Sequence, residues 1–212
     1  MTRSKGLFAA VSMLGLVGTA HSAVIVFDAS IEFSGGTAPA GLAPWIRTTI
    51  SDVSANTVSV SFNNINLVGS EFVSKTYLNL NTALNATTLN FTSPVQVGSF
   101  TLPDISKGTN AFKADGDGFF DILFEFATPN SQRFGPGESV TYTVSGISGL
   151  DATDFNFISV NGPAGNTGYP TAAHVQGIGA SGAFSGWVTV PEPSSLALVG
   201  FGLVPMLRRR RA

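Results

Sequence analysis

Hydrophobic and polar positions alternate with a period of two along most of the chain, and this period predicts strands. Val58, Val60 and Phe62 alternate with Thr57, Ser59, Ser61 and Asn63. Phe120, Ile122, Phe124 and Phe126 alternate with Asp121, Leu123 and Glu125, and Val140, Tyr142 and Val144 with Ser139, Thr141, Thr143 and Ser145. Weaker patterns predict strands at 24–33, 45–53, 71–80, 87–92, 95–101, 155–160, 174–178 and 186–190. Between them lie stretches rich in Gly, Pro, Asn and Asp, at 34–44, 115–118, 129–137, 146–151 and 161–170, which read as turns. Strands of this length between such turns predict one all-β domain over 24–189, a jelly-roll-like β-sandwich. Much of the excess of phenylalanine, 17 residues, belongs between its sheets.

The two ends break the alternation. Residues 1–23 read Arg3 and Lys5, then an apolar run from Gly6 to Val17, then small residues to Ala23. That order is the layout of an export leader. Small residues stand at the −3 and −1 positions for a cut after Ala20 or after Ser22, whereas a cut after Ala23 places His21 at −3. At the other end, Val190-Pro191-Glu192-Pro193 precedes an apolar run from Ser194 to Leu207 and then Arg208, Arg209, Arg210 and Arg211. Fourteen residues of helix span roughly 21 Å, short of a hydrocarbon core of about 30 Å. Counting from Val190 through the stem of Arg208 brings the length closer, and snorkelling covers part of the gap. The arginines belong on the cytoplasmic side, so the body is expected to face the periplasm, with the Pro-Glu-Pro triplet just outside the inner membrane. The two prolines keep that triplet extended.

This tail, residues 190–212, resembles a PEP-CTERM sorting signal: a Pro-Glu-Pro triplet, one hydrophobic helix and a basic terminus in fixed order. The resemblance implies that exosortase, a membrane transpeptidase-like protease, recognises the chain. Glu192 and its prolines would then be substrate residues. Tyr169 to Gly179, with Ser185-Gly186-Trp187, also resembles a stretch that recurs ahead of the sorting signal in such proteins, to which no activity attaches.

Composition narrows the chemistry of the body. Charged residues make up only 11% of the chain and the basic ones cluster at its ends. Between Val24 and Val190 there are 12 acidic residues against five basic ones, which excludes a nucleic-acid partner held through phosphates. There is no cysteine, hence no disulfide, thiolate metal site or cysteine nucleophile.

Lys113-Ala114-Asp115-Gly116-Asp117-Gly118-Phe119-Phe120-Asp121 has two readings. One is an Asp-Gly hairpin turn. The other is a calcium site with ligands from Asp115, Asp117 and Asp121, outside the EF-hand register because Phe119 and Phe120 fall where a ligand and the turn glycine belong. No other cofactor is expected. His174 is the single histidine beyond the leader, and Ser181 and Ser185 near it lie in no nucleophile elbow, so it is expected to be a hydrogen-bonded structural residue. Asp115, Asp117, Asp121, Glu125, Asp151 and Asp154 supply carboxylates for glycoside cleavage, but their spacing selects no pair. No catalytic residue is expected. The chain therefore reads as an exported structural or adhesive protein that meets exopolysaccharide or matrix proteins through Ser, Thr and Asn faces and aromatics such as Tyr169 and Trp187. The alternative is a secreted hydrolase acting on matrix polysaccharide or protein.

Overall fold

The computed structural model describes residues 22–115, 118–160 and 168–191. The export leader and the tail beyond Pro191 lie outside them. Eleven strands are described: β1 Val24–Ala29, β2 Ile31–Glu32, β3 Ile46–Ser54, β4 Thr57–Asn63, β5 Phe72–Leu78, β6 Asn90–Val97, β7 Asp104–Lys113, β8 Phe119–Glu125, β9 Ser139–Ser145, β10 Thr171–Ile178 and β11 Phe184–Thr189. They form two antiparallel sheets, of order β1-β3-β4-β9-β6 and β2-β11-β10-β5-β8-β7.

The period-two residues supply the face between the sheets. Val58, Val60 and Phe62 of β4, Val140 and Val144 of β9, and Ile122 and Phe124 of β8 have no exposed surface. Phe62 and Phe124 meet across the two sheets with ring centroids 4.6 Å apart, edge to face. Burying each such ring contributes about 1.5–3 kcal/mol, and the T-shaped contact suits the ring quadrupoles. A sandwich of two sheets around one aromatic layer follows from these contacts.

Four expectations differ in detail. The strand expected over 24–33 is two, because the chain changes sheet at Ser30: Trp45 N–H donates to Ala29 O on one side and Ser30 N–H to Thr189 O on the other. The strands expected at 87–92 and 95–101 are replaced by a 3-10 turn, Ala86–Thr88, and the single strand β6. Its register slips between Thr92 and Val95, where Ser93 takes a φ of 49°. No strand runs over 155–160. Asp151 and Asp154 instead close a capping box around a 3-10 turn at Ala152–Phe155, and Val160 keeps only an isolated bridge to Phe119. Finally, β7 was not expected. Its sequence, DISKGTNAFK, carries no clean alternation, and it holds the edge of its sheet by pairing with β8.

Candidate functional site: two outer faces and the sorting tail

The outer face of the five-stranded sheet is a grid of hydroxyls and amides. Pairing places Ser51, Ser59, Thr143 and Thr92 in one row across β3, β4, β9 and β6. Thr49, Ser61, Thr141 and Val95 form the next. Arg47, Asn63, Ser139 and Val97 form a third. Rows of this kind repeat about every 6.8 Å along a strand, and neighbours within a row sit about 4.8 Å apart. Thr141 Oγ1 donates to Ser61 Oγ at 3.0 Å, so the hydroxyls already connect sideways. At the outward-facing positions of these strands the charges are one pair at the corner, Arg47 Nε to Asp28 Oδ1 at 2.7 Å. Exposed Val24 and Val26 border the grid on β1, and exposed Val95 and Val97 on β6.

The outer face of the six-stranded sheet is built differently. Trp187, His174, Lys75, Glu125 and Asp104 lie in one row across β11, β10, β5, β8 and β7. Trp187 and Tyr169, the aromatics expected to offer free ring faces, are each half-buried and packed on other rings. Trp187 stacks on His174 with centroids 4.4 Å apart and 17° between planes, and it also meets Tyr77 at 5.7 Å. Tyr169 packs against Phe33 at 4.5 Å. Lys75 Nζ pairs with Glu125 Oε1 at 3.0 Å.

His174 is held on several sides. Its Nδ1 lies 2.9 Å from Ser74 Oγ and 3.3 Å from Gln176 Nε2. Ser74 Oγ also donates to the His174 carbonyl oxygen at 3.3 Å. Burial, then the neighbouring Lys75 charge, pushes the imidazole pKa below its ordinary value. Ser74, not Ser181 or Ser185, is the serine at this ring, and it is 3% exposed. In a Ser-His-Asp triad a carboxylate holds Nδ1, and here Ser74 and Gln176 lie at that nitrogen.

The carboxylates reveal a use that composition did not suggest. Asp52 accepts from Ala23 N and Ala152 N, each at 2.7 Å. Glu71, 2% exposed, accepts from Ala40 N at 2.7 Å and Val68 N at 2.9 Å. Glu138 accepts from Ser99 N at 2.8 Å and Gly135 N at 2.7 Å. Asp121 accepts from Leu80 N at 2.9 Å through Oδ2 and from Asn110 N at 2.7 Å through Oδ1. Each carboxylate clamps two stretches of backbone that lack ladder partners. The signal for these clamps was an acid near a turn, and it named no partner.

Of the three expected calcium ligands, Asp115 sits at the β7–β8 turn with a φ of 50°. Asp117 lies outside the described residues, and Asp121 gives both oxygens to backbone N–H groups. Lys113 pairs with Phe119, so β7 and β8 on either side of this stretch are antiparallel neighbours. Among the described residues, no group of three or more His, Asp and Glu is placed to hold a metal ion. The carboxylates among which spacing selects no hydrolytic pair have other partners. Asp151 and Asp154 cap a turn, Glu125 pairs with Lys75, and Asp121 clamps backbone.

At the end of β11, Val190 packs partly buried against the core and Pro191 is exposed. Glu192, Pro193 and Arg208 to Arg211 lie outside the described residues. No helix of the described residues is long and apolar enough to cross a membrane. Residues 189–211 match the family model of the PEP-CTERM protein-sorting motif. The chain carries a PEP-CTERM sorting motif. The PEP-CTERM motif marks it for export and exosortase-dependent sorting to the cell surface. No curated protein and no solved structure matches this PEP-CTERM chain.

Proposed function

We propose that the body of this PEP-CTERM protein is a non-catalytic structural or adhesive module of the exopolysaccharide matrix, and that the outer face of its five-stranded sheet contacts neutral polysaccharide. The observation that carries this reading is the grid of Ser, Thr and Asn side chains in register across four strands, with its charges confined to the Arg47–Asp28 corner. A neutral glycan offers hydroxyls that both donate and accept, and the side chains of the grid do the same. An uncharged face also avoids the cost of stripping water from ions. The way His174 and the carboxylates are engaged supports a binding role over a hydrolytic one, since these groups hold rings and backbone in place. Exosortase is the processing partner, and the tail holds the body on the outer side of the inner membrane before it is cut.

A direct test is retention on insoluble matrix polysaccharide from the producing cells. The wild-type protein should be retained and should release no reducing ends on long incubation. The double variant Thr141→Glu and Thr143→Glu places two like charges on the grid while leaving the buried faces of β9 untouched, and it should lose retention. Turnover that disappears with His174→Ala would overturn the reading in favour of a hydrolase.

A further inference from the structure

The sequence allows more than one cut at the end of the leader, and the geometry of the first strand bears on the choice. Ala23 is the residue on which the fold closes. Its carbonyl accepts from Asp52 N at 3.0 Å, which adds a rung to the β1–β3 ladder. Its side chain packs against the core. Its nitrogen lies 2.7 Å from Asp52 Oδ2, while Asp52 Oδ1 holds Ala152 N, also at 2.7 Å. The Asp52 carboxylate is thus half-buried and joins three separate stretches of chain. Among the described residues the ion pairs are Arg47–Asp28 and Lys75–Glu125, so no side-chain cation neutralises Asp52.

We infer that export ends with hydrolysis of the Ser22–Ala23 peptide bond, and that the new α-ammonium of Ala23 forms an ion pair with Asp52. Water adds across the bond under a leader-removing protease. Its hydroxyl goes to the carbonyl carbon of Ser22, which leaves with the leader. Its hydrogen, with one more proton from solvent, makes the Ala23 nitrogen an ammonium. The 2.7 Å contact, already charge-assisted through the carboxylate, then carries a formal charge on both partners. Ser22 and Ala20 supply the small −1 and −3 residues for this cut.

The other cuts fit the fold less well. A cut after Ala23 removes the ladder rung, the packed methyl and the donor to Asp52 together, and it opens the chain on Val24, which is 56% exposed. A cut after Ala20 keeps Ser22, whose Oγ donates to Asp52 O at 3.2 Å, but it leaves a neutral amide against the carboxylate. The protease acts on an extended chain, so the fold does not direct the cut. It selects which new end is held.

The inference rests on residues 1–23 being an export leader, and the experiment separates the two. The full chain is produced in an exporting Gram-negative host, and the N-terminal peptide of the exported protein is identified by mass spectrometry. Ala23 as the first residue is the expected result. A first residue of His21 or Val24 would overturn the inference while keeping the leader, and retention of Met1 or Thr2 would overturn both. The pairing has its own readout, the pH dependence of acetylation of the α-amino group in the native exported protein. Its pKa should stand above the ordinary range of about 7.7–8.0, and it should return to that range in Asp52→Asn. An ordinary value in the native protein would overturn the ion pair, whether or not the variant folds.

Discussion

Single carboxylates in this protein do work that disulfides do elsewhere. Asp121 joins the end of β5 to the bulge of β7 through Leu80 N and Asn110 N, residues far apart in sequence. Replacing it with Ala leaves two backbone N–H groups without their acceptor. Hydrogen bonds to charged groups contribute about 1.5–3 kcal/mol each, so Asp121→Ala should cost about 3–5 kcal/mol in urea unfolding. Asp121→Asn keeps one acceptor oxygen and should lose clearly less. Glu32 adds a dependence on pH. Burial alone would raise its pKa, but the Ser34 hydroxyl and the N–H groups of Ser34, Trp187 and Gly36 outweigh burial and hold it below its ordinary value. A carboxylate with a lowered folded pKa stabilises the protein above its unfolded value, and that contribution is lost as pH falls through the folded one. His174, also lowered, acts in the same direction from about pH 6.5 downward. The melting temperature should therefore fall in two stages on acidification, the first below about pH 6.5 and the second in the acid range of Glu32. Glu32→Gln should flatten the second stage and spare the first.

At the scale of elements, β11 depends on a close approach that only glycine permits. A Cβ on Gly186 would lie 2.3 Å from the Thr37 carbonyl oxygen, and that segment is tied down because Thr37 N–H donates to Ser185 O. Gly186→Val should push residues 34–40 away from the sheet, lower the melting temperature and raise amide exchange in that segment. What could be read from the sequence follows the same physics. Strands β4, β8 and β9 were legible because each buries one face completely, so Val58, Val60 and Phe62 alternate cleanly with polar neighbours. Strand β7 was not legible, because an edge strand with both faces largely exposed has no need to alternate. The turn at Ala152–Phe155 looked like a strand because Phe155 and Phe157 are two apart, yet Asp151 and Asp154 cap it as a helix start. The polar side of the grid was readable residue by residue. Its assembly into rows was not, since that depends on β4 meeting β9 some 80 residues later.

At the scale of the whole molecule, the body and its tail are separate instructions. The tail directs sorting, so Glu192→Ala, or loss of Arg208 to Arg211, should leave uncut precursor in the inner membrane while the body folds normally. Immunoblotting of membrane fractions checks the first effect, and circular dichroism of the solubilised precursor checks the second. Normal maturation of both variants would remove exosortase from the account. The point where the tail joins the body has a mechanical consequence. Strand β11 runs between β10 and β2, and the tail follows it directly from Val190. Any pull delivered from the membrane enters along a strand bonded on both flanks, and Thr189 Oγ1 adds a further bond to Thr171 O at 2.6 Å. Force along such a strand loads its hydrogen bonds together, in shear, whereas an edge strand would peel off bond by bond. A body still tethered while polymer drags on its far sheet is thus gripped at a strong seam, and it would sooner transmit tension than unravel.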